Sequence, residues 1–172
     1  APANSLMQWY NIDDAFYYYK VAQNVTSGYG FTFDQINLSN GFHPLWMVVC
    51  LGVFWLSKIN LLLPLRVLVL VSGLFNAATA LLLFRFLKRY LHPGAAFSGA
   101  LIWGLYPPIF DVVITHGMES AISAFFIVLL LSKATRYLDE IGEKQISARS
   151  LVGLGVIGAL TILSRLDNLF VV

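Results

Sequence analysis

VLVLVSGLFNAATALLLF, residues 67–84, carries no charge, and it is bracketed by Arg66 on one side and by Arg85, Lys88 and Arg89 on the other. A bilayer core asks for about 20 apolar residues in helical form, with a range of roughly 17–25. Helix is required because backbone polar groups must be paired internally there. This stretch meets that demand and reads as a membrane span. Working outward, 93–110 reads as a second span, broken near Pro107-Pro108, where proline removes a helix donor and clashes with the preceding turn. A third runs from about 117 to 132 or slightly beyond, and 150–164 is a shorter fourth. The apolar run 44–57 is too short for an easy crossing and is placed as an interfacial or re-entrant helix.

Composition agrees. Of 172 residues 58% are apolar and 12% charged, against about 45–50% and 25% in ordinary soluble domains, and mean hydropathy is +0.74. The fold class expected is an all-α, polytopic integral membrane protein, which excludes an ordinary water-soluble domain. The net charge of +2 is small, and its basic residues cluster beside apolar runs. That pattern speaks for membrane orientation and against nucleic acid. The lone Cys50 has no partner for an intrachain disulfide. The chain starts at Ala1 and stops within an apolar run, so it is expected to be the early part of a longer protein, lacking a first spanning helix.

Cytoplasmic loops carry the excess of Lys and Arg. RFLKRYLH (85–92) and KATRYLDEIGEKQISAR (133–149) are therefore assigned to the cytoplasm. Residues 1–43, the turn 111–119 and residues 165–168 must then emerge on the opposite face. The organisation expected is an extracytoplasmic first loop with an interfacial helix (1–43), the short helix 44–57, and about four spans within 58–172. Asp13, Asp14, His116, Glu119, Arg165 and Asp167 fall on one face although they lie far apart in sequence. Ionisable residues near membrane depth are costly and mark cavities and sites.

Asp13-Asp14 precedes an aromatic-rich stretch, AFYYYKVAQNVT (15–26), suited to a helix lying in the membrane interface. One reading is that Asp13 caps that helix. The other is that one carboxylate takes a proton from an acceptor hydroxyl while its neighbour orients it or holds a divalent cation. Lys20, seven residues after Asp13, can share a helix face with it and meet a phosphate as a point charge, or snorkel to the interface. Arg165 suits a phosphate better, because guanidinium grips phosphate with two parallel bonds, although pairing with Asp167 or Glu119 is the alternative. Glu119 stands where a spanning helix starts and complements its dipole. His43 and His116 can donate to sugar or phosphate oxygens. No zinc-ligand spacing or phosphate-cradling glycine loop is present, and Gly28-Tyr29-Gly30 reads as a turn.

The run IDDAFYYYKVAQNVTSGYGFTFDQ (12–35) followed by NGFHPLW (40–46) resembles the first extracytoplasmic loop of the GT-C superfamily of polyprenyl-phosphate-sugar-dependent glycosyltransferases. It is most similar in look to the terminal arabinofuranosyltransferase branch. HGMES (116–120) is similar to the family's G-M-E-[ST] turn, and SRLDN (164–168) to its R-P-[DE] element, with Leu166 where the family has proline. The resemblance implies a GT-C-like transmembrane helix bundle, of which this is the amino-terminal part. It implies a first-loop aspartate, Asp13 with Asp14 in support, as general base. A sugar would pass with inversion from a lipid phosphate to a glycan, lipid or protein acceptor at the outer face of the plasma (inner) membrane. Lys20, His43, His116, Glu119, Arg165 and Asp167 become substrate-binding candidates. The alternative is a non-catalytic subunit packing within a membrane complex, with Gly153, Gly155 and Gly158 permitting close helix approach. Transport is disfavoured, since it calls for charges at mid-membrane.

Overall fold

The computed structural model describes residues 13–56, 62–140 and 147–172, leaving aside the side chains of Asp13 and Glu140. Ser57 and the 141–146 part of the second basic loop lie outside the described residues. Among these residues the chain is helical, and its β-structure is a single bridge between Thr32 and Leu38. Helix α1 spans Asp13–Thr26 and α2 Pro44–Leu56; α3 spans Leu62–Leu87 and α4 Pro93–Leu105. A short α5, Pro107–Phe110, runs into a π-helical turn at Asp111–Thr115. Helix α6 spans Ser120–Glu140, α7 spans Ala148–Ser164, and a 3-10 turn covers Leu166–Phe170.

Two helices, α3 and α6, are long and apolar enough to cross a membrane, and a third crossing is formed if α4 and the segment after it are one bent span. At 1.5 Å per residue, Arg66 and Arg85 stand about 28 Å apart along α3, close to the roughly 30 Å of a hydrocarbon core. Helix α7 has 17 residues and is a shorter apolar helix, as is α2 with 13. The burial of α3 changes along its length, with Leu65 and Leu68 in the core at its start. Its buried residues include Ser72, Asn76 and Thr79, while Leu70 and Leu74 are 67% and 71% exposed. Outward leucines and inward small polar residues suit a helix solvated by lipid, where close packing and interhelical hydrogen bonds take over from the hydrophobic effect.

The break at the paired prolines is a bend of 51°. Tyr106 takes an extended conformation (φ −66°, ψ 119°) and Pro107 opens the next helix at its first position, where a missing N–H costs nothing. Pro108 cannot bond the carbonyl four residues back, that of Gly104. The Asn76 amide nitrogen donates to this Gly104 carbonyl at 3.3 Å. A polar residue near the centre of an otherwise apolar span thus answers a polar group freed by proline on its neighbour, as freed backbone in a membrane requires.

Helix α3 packs against α4 and α6, and α6 against α7, forming the bundle; α1 packs against α2 beside one end of it. The main core joins Ala15, Tyr18, Tyr19 and Ala22 of α1 to Trp46, Met47 and Cys50 of α2 and to Leu65, Leu68 and Ile122. The four α1 positions follow an i, i+3, i+4, i+7 pattern, which places them on one helix face.

Candidate functional site

The site is assembled where α1, the start of α2, the start of α6 and the end of α7 meet. Each element is fixed there by an ordinary local rule. His43 caps α2: its carbonyl accepts from the Met47 N–H at 3.1 Å, and Pro44 fills the first helical position. Gly117 has φ +67°, a left-handed conformation that glycine adopts without steric cost. Its carbonyl accepts from the Tyr19 hydroxyl at 2.8 Å. This turn delivers Glu119 directly before α6.

Glu119 is 2% exposed. The Tyr18 hydroxyl donates to its Oε2 at 3.4 Å, and the same phenol oxygen accepts from the His43 backbone N–H at 2.9 Å. Burial pushes the Tyr18 phenol well up from its usual range, only partly offset by that donated bond and reinforced by the nearby Glu119 charge, so the hydroxyl stays a donor. Nε2 of His43 lies 3.6 Å from Glu119 Oε1. His43 Nδ1 accepts from the Leu166 backbone N–H at 3.1 Å. Since an amide N–H can only donate, the ring proton is assigned to Nε2, which faces the carboxylate. Arg165 Nε is 4.0 Å from the same Oε1 and 3.4 Å from Asp167 Oδ2.

The sequence motifs 12–35, 40–46, 116–120 and 164–168 thus converge on one buried carboxylate. Its contacts are longer than good hydrogen bonds, and an ionised carboxylate has about four lone-pair directions to fill. Glu119 therefore keeps acceptor directions that these three groups do not fill. Arg165 and Asp167 are the open rim, their side chains 46% and 74% exposed. Arg165 is paired with Glu119 and Asp167, yet its exposed guanidinium retains donors for a phosphate.

Not every candidate joins this cluster. His116 Nε2 faces Asp111 Oδ2 at 3.7 Å, and Asp111 also takes the Thr115 hydroxyl. Lys20 is half-buried, and its ammonium donates to the Gln23 side chain at 3.5 Å along its own helix. Asp14 is exposed, and α1 begins at Asp13, whose side chain lies outside the described residues. No three His, Cys, Asp or Glu side chains gather to hold a metal among the described residues. The turn expected at Gly28-Tyr29-Gly30 is present, with φ +92° and +71° at the two glycines.

Two contributors escape a motif reading. Tyr18 counts in sequence as one more interfacial aromatic, although the i, i+3, i+4, i+7 spacing of Ala15, Tyr18, Tyr19 and Ala22 marks the face that becomes buried. Asn168 donates to Ser123 Oγ at 2.8 Å and to the Thr161 carbonyl at 2.9 Å. It ties the turn that carries Arg165 and Asp167 onto α6 and α7. No local signal pairs residues 45 positions apart. No protein-family model, curated protein or solved structure matches the chain.

Proposed function

We propose that this chain is the amino-terminal part of a polytopic GT-C-type glycosyltransferase, which passes a sugar from a polyprenyl-phosphate donor to an acceptor at the extracytoplasmic face of the plasma membrane. The observation that supports the reading is the meeting of Tyr18, His43 and Arg165 around Glu119, from motifs spread over more than 140 residues. In this reading Asp13 takes the proton from an acceptor hydroxyl, with Asp14 orienting it. The acceptor oxygen bonds to the anomeric carbon as the carbon–oxygen bond to the lipid phosphate breaks, and the electron pair leaves on the phosphate. Attack opposite the leaving group inverts the anomeric centre. Glu119 holds a sugar hydroxyl, with the His43 Nε2 proton fixed beside it, and Arg165 grips the phosphate with its planar fork. Lys20 and His116, set apart from Glu119, act on parts of the donor or acceptor beyond the reacting carbon.

The test is sugar transfer by the full-length protein from lipid-linked donors. Asp13→Asn should lower the rate about 10²–10⁴-fold, the usual cost of losing a positioned base, with stability nearly unchanged, since Asn and Asp cap helices equally well. Wild-type rates in both Asp13→Asn and Asp14→Asn would instead make the chain a non-catalytic subunit of a membrane complex.

A further inference from the structure

We propose that His43 is a positioning residue for Arg165: its ring Nδ1 caps the turn that begins at Leu166 and so holds the Arg165 guanidinium where it meets the donor phosphate. The inference rests on the phosphate-binding part given to Arg165 in the proposed function. His43 acts through Arg165 and does not touch the phosphate itself.

The 3-10 turn Leu166–Phe170 has no cap of its own. Arg165 stands at its N-cap position and makes no side-chain cap, because a guanidinium has donors and no acceptor. The first N–H groups of a helical turn find no partner within it, so the Leu166 N–H needs an acceptor from elsewhere. His43 supplies one across a sequence separation of 123 residues, its Nδ1 accepting at 3.1 Å.

The ring that does this is itself fixed. His43 directly precedes α2, its backbone N–H donates to the Tyr18 hydroxyl at 2.9 Å, and Nε2 faces Glu119 Oε1 at 3.6 Å. Its side chain is 22% exposed, against 46% for Arg165, so the histidine is the anchor and the turn is what it anchors. One end of the ring addresses the buried carboxylate. The other end addresses the turn that carries Arg165.

The Arg165 carbonyl and the Leu166 N–H share one peptide plane, and the plane is held at both edges. The carbonyl accepts from the Asn168 N–H at 2.9 Å, which shapes the turn from within, and the Asn168 side chain ties its later part to Ser123 and Thr161. The His43 bond joins its first residue to α2. Together these bonds keep Arg165 extended, at φ −156° and ψ 120°, with Nε 4.0 Å from Glu119 Oε1. Proline at position 166 would lack the N–H and still suit the site. It favours the first position of a helical turn, and it holds the residue before it at φ of roughly −80° to −160° and ψ of about 120–160°. Arg165 already lies in that range.

The experiment places the full-length protein in phosphatidylcholine nanodiscs and measures binding of added polyprenyl phosphate, beside sugar transfer from lipid-linked donors. His43→Gln keeps an N–H near the place of Nε2 and puts no acceptor at that of Nδ1. It should weaken binding about fivefold, the factor one net hydrogen bond is worth. The double variant His43→Gln/Leu166→Pro should recover to within about twofold of wild type, because proline holds Arg165 extended without the histidine. A contact between His43 and the ligand would not be rescued in this way. The nitrogen NMR spectrum of the wild-type protein needs no variant to fold: His43 should carry its ring proton on Nε2 and none on Nδ1. Unchanged binding in His43→Gln, a double variant no better than His43→Gln alone, or a proton on Nδ1 would each overturn the proposal. A wild-type protein that binds no polyprenyl phosphate would overturn it together with the part given to Arg165, whereas binding without sugar transfer would count against the glycosyltransferase reading alone.

Discussion

Replacing Glu119 by glutamine keeps the size of the side chain and leaves one acceptor oxygen where there were two. Oε2 takes the Tyr18 hydroxyl at 3.4 Å, while Oε1 faces His43 Nε2 at 3.6 Å and Arg165 Nε at 4.0 Å. If the amide oxygen stays toward Tyr18, the new NH2 points at two donors. If the amide flips, the Tyr18 proton loses its acceptor. Either arrangement leaves a buried donor unmatched, which costs about 1–3 kcal/mol. The Oε1 contacts are long and the Arg165 side chain is 46% exposed, so screening moves the expectation to the lower half of that range, about 1–2 kcal/mol. The assay is reversible denaturation of the full-length protein in mixed micelles. A double-mutant cycle with Tyr18→Phe should return a coupling of about 1 kcal/mol, in the range for residues in direct contact. Stability of Glu119→Gln within about 0.5 kcal/mol of wild type, the usual scatter of surface changes, together with zero coupling would refute the claim that this carboxylate ties α1, α2 and α6 together.

Two further outcomes follow from the geometry. Asn76→Leu should cost about 1 kcal/mol or more in the same denaturation assay, because the Gly104 carbonyl freed by Pro108 then loses its donor in a lipid-facing bundle; a stabilised Asn76→Leu protein would contradict that role. The backbone N–H groups of Asn37 and Ile36 hold the Asp34 carboxyl at about 2, down from an ordinary 3.8. Because the folded value is the lower one, the support this carboxylate gives the 34–37 turn is complete above the ordinary value and is lost as pH falls toward 2. The Asn37 amide resonance should titrate with a midpoint near 2, and a midpoint at 3.8 would remove the turn.

The helices were legible because a length and charge test sufficed for them. The stretch 67–84 lies within α3, 150–164 within α7, and 44–57 coincides with the short α2 up to its last described residue. The break at Pro107-Pro108 was legible from proline chemistry alone. The partner of that break was not, since Asn76 is 28 residues away and its role appears only when α3 and α4 pack side by side. The same limit governs the site. That residues of 1–43, 111–119 and 165–168 share one end follows from alternating crossings, and the contacts of Glu119 with Tyr18, His43 and Arg165 are consistent with it. Which residues touch within that end depends on helix rotation. Rotation turns Tyr18 inward and leaves Lys20 on Gln23, and it pairs His116 with Asp111 instead of Glu119.

The central claim is that the Glu119 cluster and the basic loops lie on opposite sides of a membrane. The most direct test is labelling of single cysteines placed at Asn37 and at Tyr90 in the full-length protein in intact cells, with an impermeant thiol reagent; both positions are exposed, and the native Cys50 is buried. Asn37→Cys should react from outside, and Tyr90→Cys should react only after the membrane is permeabilised. Reaction of both from the same side would contradict the topology and, with it, the placement of the site at the outer face.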